Sequence, residues 1–206
     1  MRLIRTIALA LLGVVAVVWA VAWLRPDLLA ALRGTAGGIT VPGSIAVGGP
    51  FALTDQNGTK VTERTYRGKW MLVYFGYTFC PDVCPTELQT ISNALDLLGT
   101  DAAKIVPIFI TVDPGRDTVT ALAEYVKLFD PRLIGLTGSE AETGAAARAY
   151  RVYYAKATTK DASNYLMDHS SFVYLMGPDG GFKSLFRQGI PAEEMAKSLR
   201  AKMAGT

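Results

Sequence analysis

Apolar residues follow several different patterns along this chain, and each pattern predicts a different element. Ile7 to Leu24 is an unbroken run of 18 residues without a charged or polar side chain. As a helix it would be about 27 Å long, close to the hydrocarbon thickness of a bilayer. Two shorter runs, Trp70 to Phe75 and Ile105 to Val112, are rich in β-branched and aromatic residues. They have the length of buried strands in a sheet covered on both faces. Between them Leu88, Ile91, Leu95 and Leu98 recur at spacings of three and four, which predicts an amphipathic helix over 85–98 stopped by Gly99. Strand, helix and strand in that order form a βαβ unit with parallel strands.

The flanking segments complete an α/β domain. Phe51 to Thr54 and Thr59 to Thr62 read as a hairpin around Asn57-Gly58, a pair suited to a turn with positive φ. A second helix is expected over 117–129, with Leu122, Val126 and Phe129 along one face. A short strand over 133–136, a helix over 139–150 and a strand over 172–176 follow. The turn Pro178-Asp179-Gly180-Gly181, a strand over 182–186 and a helix from Pro191 end the chain. No internal repeat is evident.

A chain of 206 residues, half of them apolar, suffices for one membrane segment and one packed domain. The expected organisation is a membrane anchor over 1–25, a Gly-, Thr-, Pro- and Ser-containing linker over 26–49 and a domain over 50–206. Arg2 and Arg5 precede the apolar run and Arg25 follows it, a weak positive-inside bias toward a cytoplasmic N-terminus. Ala20-Val21-Ala22 offers the small residues of a signal-peptide cleavage site, but the run is longer than the usual apolar core of a signal peptide. Either reading exports the domain. The absence of a long Arg- and Ser-rich presequence favours a bacterial inner membrane, with the domain facing the periplasm.

The net charge of +3 vanishes when Arg2, Arg5 and Arg25 are set aside, because every acidic residue lies beyond them. A neutral exported domain has no basic surface suited to nucleic acid.

The candidate chemistry is concentrated in very few residues. Cys80 and Cys84 are the only cysteines and His169 is the only histidine. The cysteines fall between a predicted buried strand and a helix, at the strand end where open α/β sheets gather ligands. Pro85 suits the first helical position. That leaves Cys84 near the N-cap, where free N–H groups favour a thiolate, so Cys84 is expected to be the more acidic thiol. A helix-like spacing of four brings both side chains to one face, close enough to chelate an ion or close a disulfide. A purely structural disulfide would close only a short loop and gain little chain entropy. His169 precedes the strand over 172–176, and its distance from the cysteines in sequence says nothing about contact.

At these residues the chain resembles the SCO/SenC family of membrane-anchored, thioredoxin-like copper proteins. The resemblance rests on Tyr74-Phe75-Gly76-Tyr77-Thr78-Phe79-Cys80-Pro81-Asp82-Val83-Cys84-Pro85, on Val112-Asp113-Pro114-Gly115-Arg116-Asp117-Thr118 and on Tyr165-Leu166-Met167-Asp168-His169-Ser170. Further matches run in order through most of 45–190. Gly115 departs from the acidic residue common there, and the Gly-rich linker differs as well.

The resemblance implies a thioredoxin-like central sheet flanked by helices behind one N-terminal transmembrane helix. It implies copper ligation by Cys80, Cys84 and His169, with the strand over 172–176 that follows His169 antiparallel to the Trp70 strand. The expected role is maturation of the dinuclear copper centre of cytochrome c oxidase. The partners would be the copper-bearing oxidase subunit, a copper donor protein and the membrane. Independently of the family, two thiolates and an imidazole form a soft donor set suited to Cu(I), and to Cu(II) with an added oxygen ligand. Zinc would favour a fourth donor.

Two other functions compete. A thiol-disulfide oxidoreductase would use Cys80 and Cys84 as a redox pair. Against it as the sole role stand the C-x-x-x-C spacing and the lack of a proline between Pro131 and Pro178 to serve as a cis-proline before a comparable strand. A peroxide-reducing enzyme would use one cysteine as nucleophile, with Arg116 and Asp117 as activating groups. A loop salt bridge and an N-cap at Asp117 are the simpler readings of those two residues. Asp82 and Asp168 read as solvated loop carboxylates or caps.

Overall fold

The computed structural model describes residues 13, 38–39, 46–157 and 165–205. The predicted anchor over 1–25 lies outside the described residues apart from Gly13. Among the described residues no helix is long and apolar enough to cross a membrane.

The strands are β1 (Gly38–Ile39), β2 (Ala52–Asp55), β3 (Lys60–Thr62), β4 (Trp70–Gly76), β5 (Ile105–Thr111), β6 (Ile134–Thr137), β7 (Tyr154–Lys156), β8 (Met167–His169), β9 (Phe172–Met176) and β10 (Phe182–Arg187). The helices are α1 (Val83–Leu98), α2 (Val119–Val126), α3 (Glu140–Ala149) and α4 (Ala192–Ala204). Eight strands form one sheet in the order β1-β10-β9-β4-β5-β6-β2-β3, while β7 and β8 pair apart from it. The predicted βαβ unit is present, with β4 and β5 parallel through their full length from Trp70↔Ile105 to Gly76↔Thr111. On the other side β9 runs antiparallel to β4, pairing Tyr74 with Val173. The start of β9 therefore lies beside the end of β4.

All seven residues of β4 are buried, which explains the unbroken apolar run: a central strand covered on both faces has no position for a polar side chain. In α1 the predicted stripe Leu88, Ile91, Leu95 and Leu98 is buried, and the helix packs against α4. Phe75, Tyr150 and Tyr174 form an aromatic cluster with centroids 5.3 to 6.2 Å apart. The Asn57-Gly58 turn forms as expected. Asp55 Oδ1 accepts from the N–H groups of Asn57 and Thr59, and Gly58 has a φ of +82°.

Three local expectations are revised. The segment read as a linker over 26–49 contributes its last part to the domain, since Gly38–Ile39 pair with Leu185 and Phe186 and Gly48 N–H donates to Ala149 O. The second helix is capped by Thr118, whose Oγ1 accepts from Ala121 N–H, and not by Asp117. Finally, α1 begins at Val83 with Asp82 at its N-cap, so Pro85 is the third helical residue instead of the first. The first-turn N–H groups of a helix have no intrahelical partner, so proline is tolerated there at more than one position.

Candidate metal centre

The loop Tyr77–Asp82 leaves the carboxyl end of β4 and turns into α1, carrying Cys80 just ahead of the helix and Cys84 in its first turn. Cys80 N–H donates to Tyr77 O at 3.3 Å, which folds the loop back on itself. Cys84 has no solvent exposure, whereas Cys80 is half-buried. Both thiols are free. Gly76 makes this close packing possible, because a Cβ at that position would lie 2.7 Å from Cys84 Sγ and 2.8 Å from the Phe109 ring.

His169 ends β8, which pairs antiparallel with β7 as Tyr154↔His169, Ala155↔Asp168 and Lys156↔Met167. The hairpin delivers the imidazole to the cysteines, with His169 Nε2 3.4 Å from Cys84 Sγ. The other ring nitrogen, Nδ1, lies 3.2 Å from Ser170 O. Tyr74 and Tyr77 face the imidazole with their rings in edge-on geometry, centroids 6.2 and 5.9 Å away. Sulfur, sulfur and nitrogen all lie within 4.8 Å of one another. Donors bound at ~2.3 Å around one ion in a trigonal array stand about 4 Å apart, so the three residues fit a shared metal ion with little rearrangement.

The thiols differ in the opposite sense from the sequence expectation. Cys80 is the acidic one, held well below its ordinary value chiefly because the Cys84 thiol donates to it, with His169 and the N–H groups of Asp82 and Cys84 contributing. Cys84 is pushed up by serving as that donor and by burial. The helix N-terminus does stabilise a thiolate, but Cys84 N–H donates to Cys80 Sγ at 3.4 Å while the Cys84 side chain turns into the core. Tyr74 Oη donates to Cys84 Sγ at 3.7 Å. Asp82 and Asp168 are exposed and stand outside the donor cluster.

Sequence reasoning missed the polar frame around this cluster. Asp117 is fully buried and accepts from Thr78 N–H at 3.0 Å, Thr78 Oγ1 at 2.6 Å and Thr111 Oγ1 at 2.6 Å, tying the loop after β5 to the cysteine loop. Its carboxyl is raised by burial, partly offset by those hydrogen bonds. The available signal was position, because Asp113 and Asp117 follow β5 at the same sheet end as the cysteines.

Comparison with known proteins agrees with this geometry. The SCO1/SenC family model matches residues 40–204. The chain belongs to the SCO1/SenC family. The human protein SCO1 homolog, mitochondrial, is 44% identical over 163 residues, covering 78% of this chain and 54% of that protein. This SCO1/SenC chain spans about half the length of such curated relatives. The structure of Arabidopsis thaliana ScoI with copper bound aligns at a TM-score of 0.74 with 44% identity, covering 78% of this chain and 100% of that one. Bradyrhizobium japonicum ScoI with copper bound aligns at 0.71 with 50% identity, covering 76% and 99%. The SCO1/SenC chain thus has the thioredoxin-like α/β fold that the motifs implied.

Proposed function

We propose that Cys80, Cys84 and His169 bind copper and that this chain acts as an assembly factor in maturation of the dinuclear copper centre of cytochrome c oxidase. The observation that carries the reading is the convergence of three soft donors within 4.8 Å at the rim of the domain. Two thiolates and an imidazole suit Cu(I), and an added oxygen ligand suits Cu(II). The sequence has no further cysteine or histidine for the fourth donor that a structural zinc site favours. The copper-bound ScoI structures support the same choice.

The residues divide the work. Cys80 offers a thiolate at the half-exposed edge, where an ion can be received and given up. Cys84 holds the buried side and gives up a proton when metal is taken in. His169 closes the set from the hairpin. In this proposal residues 7–24 anchor the chain in the bacterial inner membrane with the domain in the periplasm. There it would meet a copper donor protein and the copper-bearing oxidase subunit, and no nucleic acid.

The test is to load the full-length protein with Cu(I) and Cu(II) and compare stoichiometry and thiolate-to-copper absorption with His169→Ala and Cys80→Ser. One copper per chain, weakened in both variants, is expected. Full copper affinity after loss of His169 would sink the three-donor site.

A second reading rests on the acidic, half-exposed Cys80. Its thiolate could attack a partner disulfide, forming a mixed disulfide and releasing one partner thiolate. Cys84, once deprotonated, would then attack Cys80 Sγ and release the second thiolate, leaving Cys80–Cys84 oxidised by two electrons. Disulfide turnover without copper, unaffected by His169→Ala, would favour this reading.

A further inference from the structure

His169 stands on a hairpin that the central sheet does not include. A two-stranded hairpin is marginally stable by itself. Beneath this one lies a cavity of about 280 Å³ lined by Asp113, Tyr154, Lys156 and Met167 among others. The rings of Tyr74 and Tyr77 meet the imidazole edge-on, and a polar joint ties down the start of β8.

Arg116 Nε donates to Asp113 Oδ2, Arg116 Nη1 donates to Tyr165 O at 2.9 Å, and Tyr165 Oη donates to Asp113 Oδ1 at 2.7 Å. The guanidinium also lies 3.8 Å from the centroid of the Tyr165 ring. The three residues form a closed triangle in which every pair is bonded. The other side of the guanidinium environment is the cysteine loop, with Phe79 at 4.9 Å and Tyr77 at 5.7 Å. Arg116 Nη2 is buried without an acceptor, a cost tolerated where a side chain is held for its position.

We propose that Arg116, with Asp113 and Tyr165, is a positioning residue of the metal site: it clips the start of β8 to the loop after β5 and so sets the approach of His169 to the cysteines. The loop over 113–117 then serves as one frame for both halves. Asp117 holds the cysteine loop through Thr78, and Asp113 with Arg116 holds the histidine hairpin through Tyr165. Lysine cannot replace this arginine, because the clip uses two nitrogens of a planar fork and a stacking face. The inference rests on the copper reading above.

The test compares Arg116→Ala, Arg116→Lys, Tyr165→Phe and His169→Ala in the full-length protein. The readouts are Cu(I) affinity by chelator competition and the nitrogen hyperfine and thiolate-to-copper bands of the Cu(II) form. Loss of an outer partner of a ligand typically weakens metal binding ~10–100-fold. That loss is expected for Arg116→Ala, a smaller one for Tyr165→Phe, and no full rescue by Arg116→Lys. The combination Arg116→Ala with His169→Ala should bind no more weakly than His169→Ala alone, since both act through one imidazole. In the metal-free protein, nuclear Overhauser contacts between the His169 ring and the rings of Tyr74 and Tyr77 should weaken in Arg116→Ala while α1 and β4 keep theirs.

Additive losses in the double variant, or wild-type affinity and spectra in both Arg116→Ala and Tyr165→Phe beside a defective His169→Ala, would overturn this inference alone. Unchanged copper affinity in His169→Ala would overturn the ligand reading and this one with it. Tyr165→Phe removes a single hydroxyl, so it remains decisive if Arg116→Ala fails to fold.

Discussion

Cys84 and His169 meet at 3.4 Å but arrive from opposite kinds of structure. Cys84 follows β4, a strand buried along its whole length and paired on both sides, by β5 and β9. Among the described residues His169 ends a three-residue strand paired only with β7, on a hairpin outside the main sheet. One half of the site is an extension of the core. The other is an appendage held by named polar contacts. The contrast suits the proposed role, in which an ion is bound and also released: the proposed donor that moves least is the buried one, and the one with the weakest support is the one whose loss would open the set.

The largest expected effect tests the rigid half. Phe75 has no exposure and packs against the rings of Tyr150 and Tyr174. Phe75→Ala should cost ~3–5 kcal/mol through lost transfer energy and a residual cavity, read as a fall in the denaturant midpoint at unchanged slope. A much smaller loss would mean that β4 is not the rigid support of Cys84. Next comes Gly76→Ala, whose new Cβ would meet Cys84 Sγ at 2.7 Å and Phe109 at 2.8 Å. Overpacking of this kind costs ~1–3 kcal/mol, and here the displaced atom is a donor of the proposed copper site. Equilibrium unfolding and copper affinity should therefore fall together, and a loss of stability without any change in affinity would separate Cys84 from the strand.

The same contrast decides what could be read from the chain alone. β4, β5 and β9 were legible because a fully covered strand admits only apolar side chains, and α1 because its buried stripe repeats at three and four. The β7–β8 hairpin was not predicted: Tyr154–Lys156 and Met167–His169 are short, partly polar and stabilised by tertiary partners such as Tyr165 and Arg116. The dithiol was legible from residue type, spacing and strand-end position. His169 was tied to it only through the resemblance to a family, since proximity across 85 residues has no local signature. The acidity of the two thiols was reversed, because spacing locates Cys84 near the helix start but not the direction of its side chain. Asp117 was misread for a similar reason, its three donors being contributed by β5 and the cysteine loop.

A smaller effect comes from Glu87, one turn beyond Cys84 on α1. It is 1% exposed, with Oε2 accepting from Gly189 N–H at 3.3 Å and Oε1 lacking a partner. Burial raises its carboxyl above the ordinary 4.5, against the lowering by Gly189 N–H. A carboxyl raised on folding binds its proton more tightly in the folded state. Its favourable contribution is complete below the unfolded value and is lost as pH rises through the raised folded value. Glu87→Gln should thus stabilise the protein at pH 7 by on the order of 1 kcal/mol and have little effect at pH 4. Thermal midpoints across that range check the sign. An equal shift at both pH values would show that packing, not ionisation, sets the effect.

The smallest expected change should be confined to the appendage. Ser170 Oγ accepts from Tyr153 N–H at 3.2 Å, and Ser170 N–H donates to Tyr153 O at 2.9 Å, closing the hairpin beside His169. Ser170→Ala removes one of these bonds, worth ~0.5–1.5 kcal/mol. In a hairpin that opens independently of the core, that loss is taken by local opening and not by global unfolding. Amide exchange should therefore speed up at Ala157 and Ser170, whose N–H groups donate across the hairpin to Leu166 O and Tyr153 O, by roughly the matching factor of 2–12, while β4 amides continue to exchange only through global unfolding at the wild-type rate. If Ser170→Ala lowers the protection of β4 and the hairpin equally, the two halves open as one unit. His169 would then have no freedom to leave Cys84 that the core does not share.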